Sequence, residues 1–128
     1  MLRLIFSTIC GYLIGFERKK HDKSGGSRTM ALMCLSSCIV AIMSMELQKV
    51  YTLDIMRLMQ GTLQGIGFIG AGIIWHHKGE TEGLTTASIL FTTILIGGLI
   101  GFNMWFYAII CSIIVYILGE LKYWWNNE

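Results

Sequence analysis

The stretch LMQGTLQGIGFIGAGIIW, Leu58–Trp75, contains no ionisable side chain, and its reading decides the fold. A spanning helix needs about 20 apolar residues, with roughly 17 as a practical lower bound. A helix that is apolar all round has no wet face, so it belongs in lipid or deep inside a large protein. A chain of 128 residues is too short to hide several such helices from water.

Working outward, Thr29–Leu47 and Asn103–Leu121 also qualify as spans, and the hydroxyl-rich Leu84–Ile100 sits at the lower bound. Leu4–Phe16 is short and spans only with its flanks, Arg3 reaching the far headgroups while the bilayer thins locally. Arg3 is a thin n-region, and no small-residue cleavage site precedes Glu17, which argues against a signal peptide. Composition agrees. Hydrophobic residues make up 54% and charged residues 14%, against about 25% charged in soluble domains. Proline is absent, so no helix loses a donor to it. The expected architecture is an all-α polytopic integral membrane helix bundle of about five transmembrane helices, forming one domain over residues 1–128.

Lysine and arginine near the helix ends set the orientation. Arg18, Lys19, Lys20, Lys23 and Arg28 crowd the first loop, and Lys78 and Lys122 fall on the same side, making seven. Arg3, Lys49 and Arg57 make three on the other. This predicts the N-terminus outside and the C-terminus cytoplasmic. Tyr123, Trp124 and Trp125 would anchor the inner interface, with Trp105 and Tyr107 near the outer one. The net charge of +2 says nothing of nucleic acid, and no nucleic-acid partner is expected.

Lipid offers helices no hydrophobic drive to associate, so small residues mark the contacts. Glycines four apart occur as Gly11/Gly15, Gly61/Gly65 and Gly97/Gly101. In the third stretch Gly61, Gly65 and Gly72 share one face at 100° per residue, while Gly67, Gly70 and Ala71 lie toward the opposite side. That helix is predicted to be clasped between two neighbours at the centre of the bundle. Gln60 and Gln64 give it two amides within the membrane. In the fourth stretch Thr85, Ser88 and Thr92 share a side. They serve either as polar glue between helices or as the wall of a small polar cavity.

No Asp, Glu, Lys, Arg or His sits near the middle of any span. Coupled transporters usually carry such a residue at membrane depth, so that class is disfavoured, although carbonyl-lined ion sites remain open. Cys10, Cys34, Cys38 and Cys111 fall in apolar stretches and read as small packing residues. His76, His77, Glu80 and Glu82 offer imidazole and carboxylate in one loop. Adjacent histidines diverge from a helix end, so a soluble loop is the better reading and no metal site is expected. No hydroxyl or thiol has a base and an orienting acid nearby, so no catalytic residue is assigned.

Four motifs then fall in order: Gly11-x-x-x-Gly15-x-Glu17-Arg18, Gly26-x-Arg28-Thr29-x-Ala31-Leu32, Gly65-Ile-Gly67-Phe-Ile-Gly70-Ala-Gly72 and Gly83-Leu84-Thr85-Thr86-Ala87. Together they resemble the membrane domain of the MgtC/SapB family from about Gly11 to Gly101. Met30, Ser88 and Phe91 depart from that family's usual residues. The resemblance implies a multi-pass protein of the bacterial inner membrane, linked to magnesium homeostasis, acid or low-magnesium survival and, in pathogens, virulence. It implies a non-enzymatic regulator of membrane machinery such as the proton-driven ATP synthase rather than a magnesium carrier. Longer members add a soluble domain after the last helix, which is expected to be missing because this chain stops at Glu128.

Function is expected at the cytoplasmic rim, where Glu17, Arg18, Arg28, Thr29, Gly83, Thr85 and Thr86 gather, with Glu17 pairing with Arg28 in a partly dry interface. Lys19, Lys20 and Lys23 read as solvated charges near anionic headgroups. The expected partners are the bilayer, a second copy in a homodimer and a membrane protein. No cofactor is expected, with Mg²⁺ a physiological signal rather than a bound ligand. The rivals are a magnesium or cation pathway along the third and fourth helices, and a module that only anchors or oligomerises.

Overall fold

The computed structural model describes residues 1–20, 25–52, 54–77 and 80–125, with residues 77, 80 and 122–125 described by backbone alone. Lys23, Lys78 and the side chains of Lys122, Tyr123, Trp124 and Trp125 lie outside the described residues. The fold is all-α. Five helices run as α1 Leu2–Lys20, α2 Ser27–Gln48, α3 Ile55–Ile73, α4 Leu84–Gly101 and α5 Trp105–Trp125. Two short strands, β1 Trp75–His77 and β2 Glu80–Glu82, form an antiparallel hairpin within the stretch that the sequence reading expects to be a soluble loop. His76 Nδ1 lies 3.0 Å from Thr81 Oγ1 across that ladder.

The helix ends follow local chemistry. Asp54 caps α3 by accepting from the backbone N–H groups of Met56 and Arg57. Gly83 stands in the left-handed region at φ 84°, and an added Cβ would collide with the carbonyl of Ile73, so only glycine turns the hairpin into α4. Arg18, Lys19 and Lys20 close the last turn of α1, where cations suit the negative end of the helix dipole. The extension of α1 beyond Leu4–Phe16 matters, because 19 residues rise about 28 Å at ~1.5 Å each. At its other end Arg3 turns inward, donating from Nη1 to the Gly101 carbonyl at 2.9 Å.

The packing corrects one expectation. The central helix is α4, which packs against all four others, not α3. A Cβ on Gly11 would meet Met30 O at 2.5 Å and Ala31 Cα at 2.8 Å, and one on Gly15 would meet Ser27 Cα at 2.5 Å. From α4, Gly97 abuts the Cys34 carbonyl, while Gly101 abuts Ala41 and Cys38. Thus α1 and α4 press glycine pairs side by side onto one stripe of α2, through Ala31, Cys34, Cys38 and Ala41. Among them Cys34, Cys38 and Ala41 are wholly buried. α3 lies at the edge of the bundle against α4 and α2, with Ile66 its one buried residue. Around Gly61, Gly65, Gly67 and Gly72 there is open space, and Gly70 merely touches Ala87. On the far side α5 covers α4 and α1. Among the described residues, α2 and α4 are long and apolar enough to cross a membrane.

Candidate functional site

One rim of the bundle gathers the end of α1, the start of α2, the start of α4 and the last turns of α5. Glu17 and Arg18 leave α1 as the last buried residues before exposed Lys19 and Lys20, and they are only 2% and 3% exposed. Arg18 reaches α4, where Nη2 donates to the hydroxyl of Thr86, itself buried. Its Nη1 stands 3.9 Å from Glu17 Oε2. On the opposite side Gly119 admits Glu17, because a Cβ there would fall 2.7 Å from Oε2. Gly25, at φ 76°, lets the approach to α2 pass beside Met30 and the Thr86 methyl. Farther out, Lys20 and Glu120 approach to 3.5 Å.

Placing two charged groups in so dry a position is costly unless each finds polar partners. Arg18 spans α1 and α4, and Glu17 sits against α5, so this rim keeps its shape only when three helices are correctly seated. Arg18 Nε has no hydrogen-bond partner among the described residues.

The expected rim residues separate into two groups. Glu17, Arg18 and Thr86 converge, and Gly83 fixes the entry to α4. Arg28 is exposed and makes no ion pair with Glu17, so the expected Glu17–Arg28 pair is replaced by Glu17–Arg18. Glu17 is turned toward Gly119 of α5, whereas Arg28 lines a cleft with Lys19. Thr29 is half-buried beside Arg28, and Thr85 is exposed. Gly119 and Gly25 escaped the sequence reading. Gly119 is the sole glycine of α5, and a lone glycine in an apolar helix is a recognisable sign of close approach.

The polar residues expected at membrane depth behave locally. Ser88 donates to Leu84 O at 2.9 Å and Thr92 to Ser88 O at 3.0 Å, so both hydroxyls serve their own helix. They also line an open groove of about 490 Å³ between α3 and α4, with Ile66, Gly67, Gly70 and Ala71 opposite. Gln60 and Gln64 lie exposed on α3, outside this groove. Among the described residues, no three His, Cys, Asp or Glu side chains are gathered to hold a metal ion.

The MgtC family model matches residues 4–127. The chain belongs to the MgtC family. It is 34% identical to YhiD of Escherichia coli, whose name proposes magnesium transport, over 94% of this chain and 59% of that one. An uncharacterized Haemophilus influenzae protein is 32% identical over 94% of this chain and 54% of its own length. The MgtC protein of Salmonella typhimurium is 31% identical over 90% of this chain and 48% of its own. The chain therefore spans about half the length of the curated relatives it matches. No solved structure matches it significantly.

Proposed function

We propose that this protein is a non-enzymatic regulator in the bacterial inner membrane, acting in magnesium homeostasis through contact with a membrane partner. In this reading residues 1–128 form one transmembrane domain of five spans, with the N-terminus outside and the Glu17–Arg18–Thr86 rim cytoplasmic. The observation that carries it is the free face of α3. An added Cβ on Gly61, Gly65 or Gly72, which share that face, would meet nothing within 4 Å, and Gln60 and Gln64 stand exposed on the same helix. Exposed amides in hydrocarbon seek a partner, and glycines let a second helix approach closely. A homodimer through α3 satisfies both demands. A larger partner such as the ATP synthase would then read the dimer or the charged rim.

A photo-crosslinking residue at position 64 tests this in native membranes. A covalent product at twice the chain's mass is expected, with none from the same probe at Leu13, exposed on α1. No product at 64 would place α3 against lipid and remove the support for the reading. A magnesium pathway is the second reading, favoured by the name of YhiD and by the open groove between α3 and α4.

A further inference from the structure

A second feature of the rim lies outside the buried cluster, in a cleft of about 450 Å³ between α1 and α2 lined by Tyr12, Lys19, Gly26, Ser27, Arg28 and Thr29. We propose that this cleft binds a phosphate group, that of an anionic phospholipid headgroup. Its floor is the N-terminus of the 22-residue α2, whose N-cap is Gly26, with no side chain to cap the first N–H groups. Such an end holds partial positive charge and unsatisfied donors, the arrangement that accepts phosphate. Ser27 adds an independent sign. It is only 5% exposed, lines the cleft, and its Oγ has no hydrogen-bond partner among the described residues. A buried hydroxyl left unmade is costly, and a phosphate oxygen would satisfy it.

Two cations stand at the lip, Lys19 from α1 and Arg28 from α2, both exposed and neither in an ion pair among the described residues. The guanidinium fork suits a phosphate edge. Tyr12 lies seven residues before Lys19 on the same face of α1, about 10 Å down the helix axis, and about half of its surface is exposed. The cleft thus passes from a cationic lip to an aromatic wall, in the order of headgroup and glycerol in a lipid. A free phosphate ion would use the lip alone. The placement rests on the membrane orientation proposed above, but phosphate binding does not depend on regulation or dimerisation.

The test uses the full chain, stripped of lipid in uncharged detergent and offered equal phosphatidylglycerol and phosphatidylcholine. Retained lipid is then counted by mass spectrometry. Wild type should retain phosphatidylglycerol preferentially. Arg28→Gln should lower that retention about fivefold, and Lys19→Gln with Arg28→Gln about thirtyfold, since each cation near an anionic lipid contributes roughly one such factor. Ser27→Ala should lower it about tenfold, as expected for a lost hydrogen bond to a charged group. Lys49→Gln, at the opposite end, should change nothing. Arg28 is exposed, so its variant should elute like wild type, keeping the test meaningful if Ser27→Ala misfolds. Displacement of the lipid by millimolar inorganic phosphate, with matching thermal protection of wild type, would keep the phosphate site but assign it to the free ion. Equal retention of both lipids without phosphate protection would overturn the proposal. So would an unaffected Ser27→Ala, or a loss with Lys49→Gln equal to that with Arg28→Gln, since diffuse surface charge would then explain the binding.

Discussion

Arg18→Met and Thr86→Val, made singly and together, measure what the buried rim contributes. Thr86→Val keeps the side-chain shape and deletes the hydroxyl that accepts from Arg18 Nη2. Hydrogen bonds to charged groups contribute about 1.5–3 kcal/mol in soluble proteins, whereas double-mutant cycles inside membranes average about 0.6 and reach about 1.7. Arg18 is 3% exposed and Thr86 2%, so the bond is shielded from water, and about 1.5 kcal/mol satisfies both ranges. Arg18→Met also removes the cation beside Glu17. Breaking a buried pair costs about 3–5 kcal/mol, and the 3.9 Å separation, too long for a hydrogen bond, favours the low end, about 3 kcal/mol. Reversible unfolding of the purified protein in mixed micelles should therefore give losses of about 1.5 and 3 kcal/mol. The double mutant should fall short of their sum by about 1–1.5 kcal/mol. A coupling energy under about 0.3 kcal/mol would refute the reasoning, because Arg18 would then not be held by α4.

Gly97→Leu and Gly11→Leu should each destabilise the monomer by about 3 kcal/mol or more, since the added side chain meets α2 backbone that cannot step aside; thermal aggregation in detergent reports this. Gly65→Leu should leave monomer stability within about 0.5 kcal/mol, because nothing of the chain lies near it, yet abolish the position-64 crosslink. Glu17→Ala and Arg28→Ala should combine additively within about 0.5 kcal/mol in the same unfolding assay, and a larger coupling would restore the ion pair that the structure replaces. Proteoliposomes loaded with a magnesium indicator should show influx no faster than empty vesicles, and clear protein-dependent influx would favour the second reading.

The number and order of the helices were legible because uncharged runs of spanning length leave few alternatives. The rank of each helix was not. Three glycine pairs share one spacing, and Gly61/Gly65 looked the richest of them, yet it is the pair facing open space. A glycine permits close approach without naming the surface that approaches. The missing half of the signal was on α2, where Ser27, Ala31, Cys34, Cys38 and Ala41 recur at alternating steps of four and three. That is a seam of small residues with the period of a packed helix pair. Taken only as small packing residues, the cysteines do not reveal the seam, and nothing in the pattern singles out Ser27. The hairpin of Trp75–Glu82 was hidden for another reason: its strands have three residues each, below the length at which alternation can be recognised.

At the rim, charge type was legible and pairing was not. Sequence placed Glu17, Arg18 and Arg28 at one end, and the pattern suggested that opposite charges flanking the first loop would meet. Helical geometry decides otherwise. Near the close contact of Gly15 with Ser27, a residue just past Gly15 on α1 faces either inward or along the seam. Glu17 and Arg18 turn inward toward α5 and α4, while Lys19 faces the cleft with Arg28. One pair of adjacent residues therefore supplies the shielded cluster, and the next cation joins an exposed one. This division explains why the two sites should answer differently to perturbation. Changes at Arg18 act through helix seating and should appear first as lost stability. Changes at Arg28 remove a surface cation from a folded rim and should appear as lost binding alone.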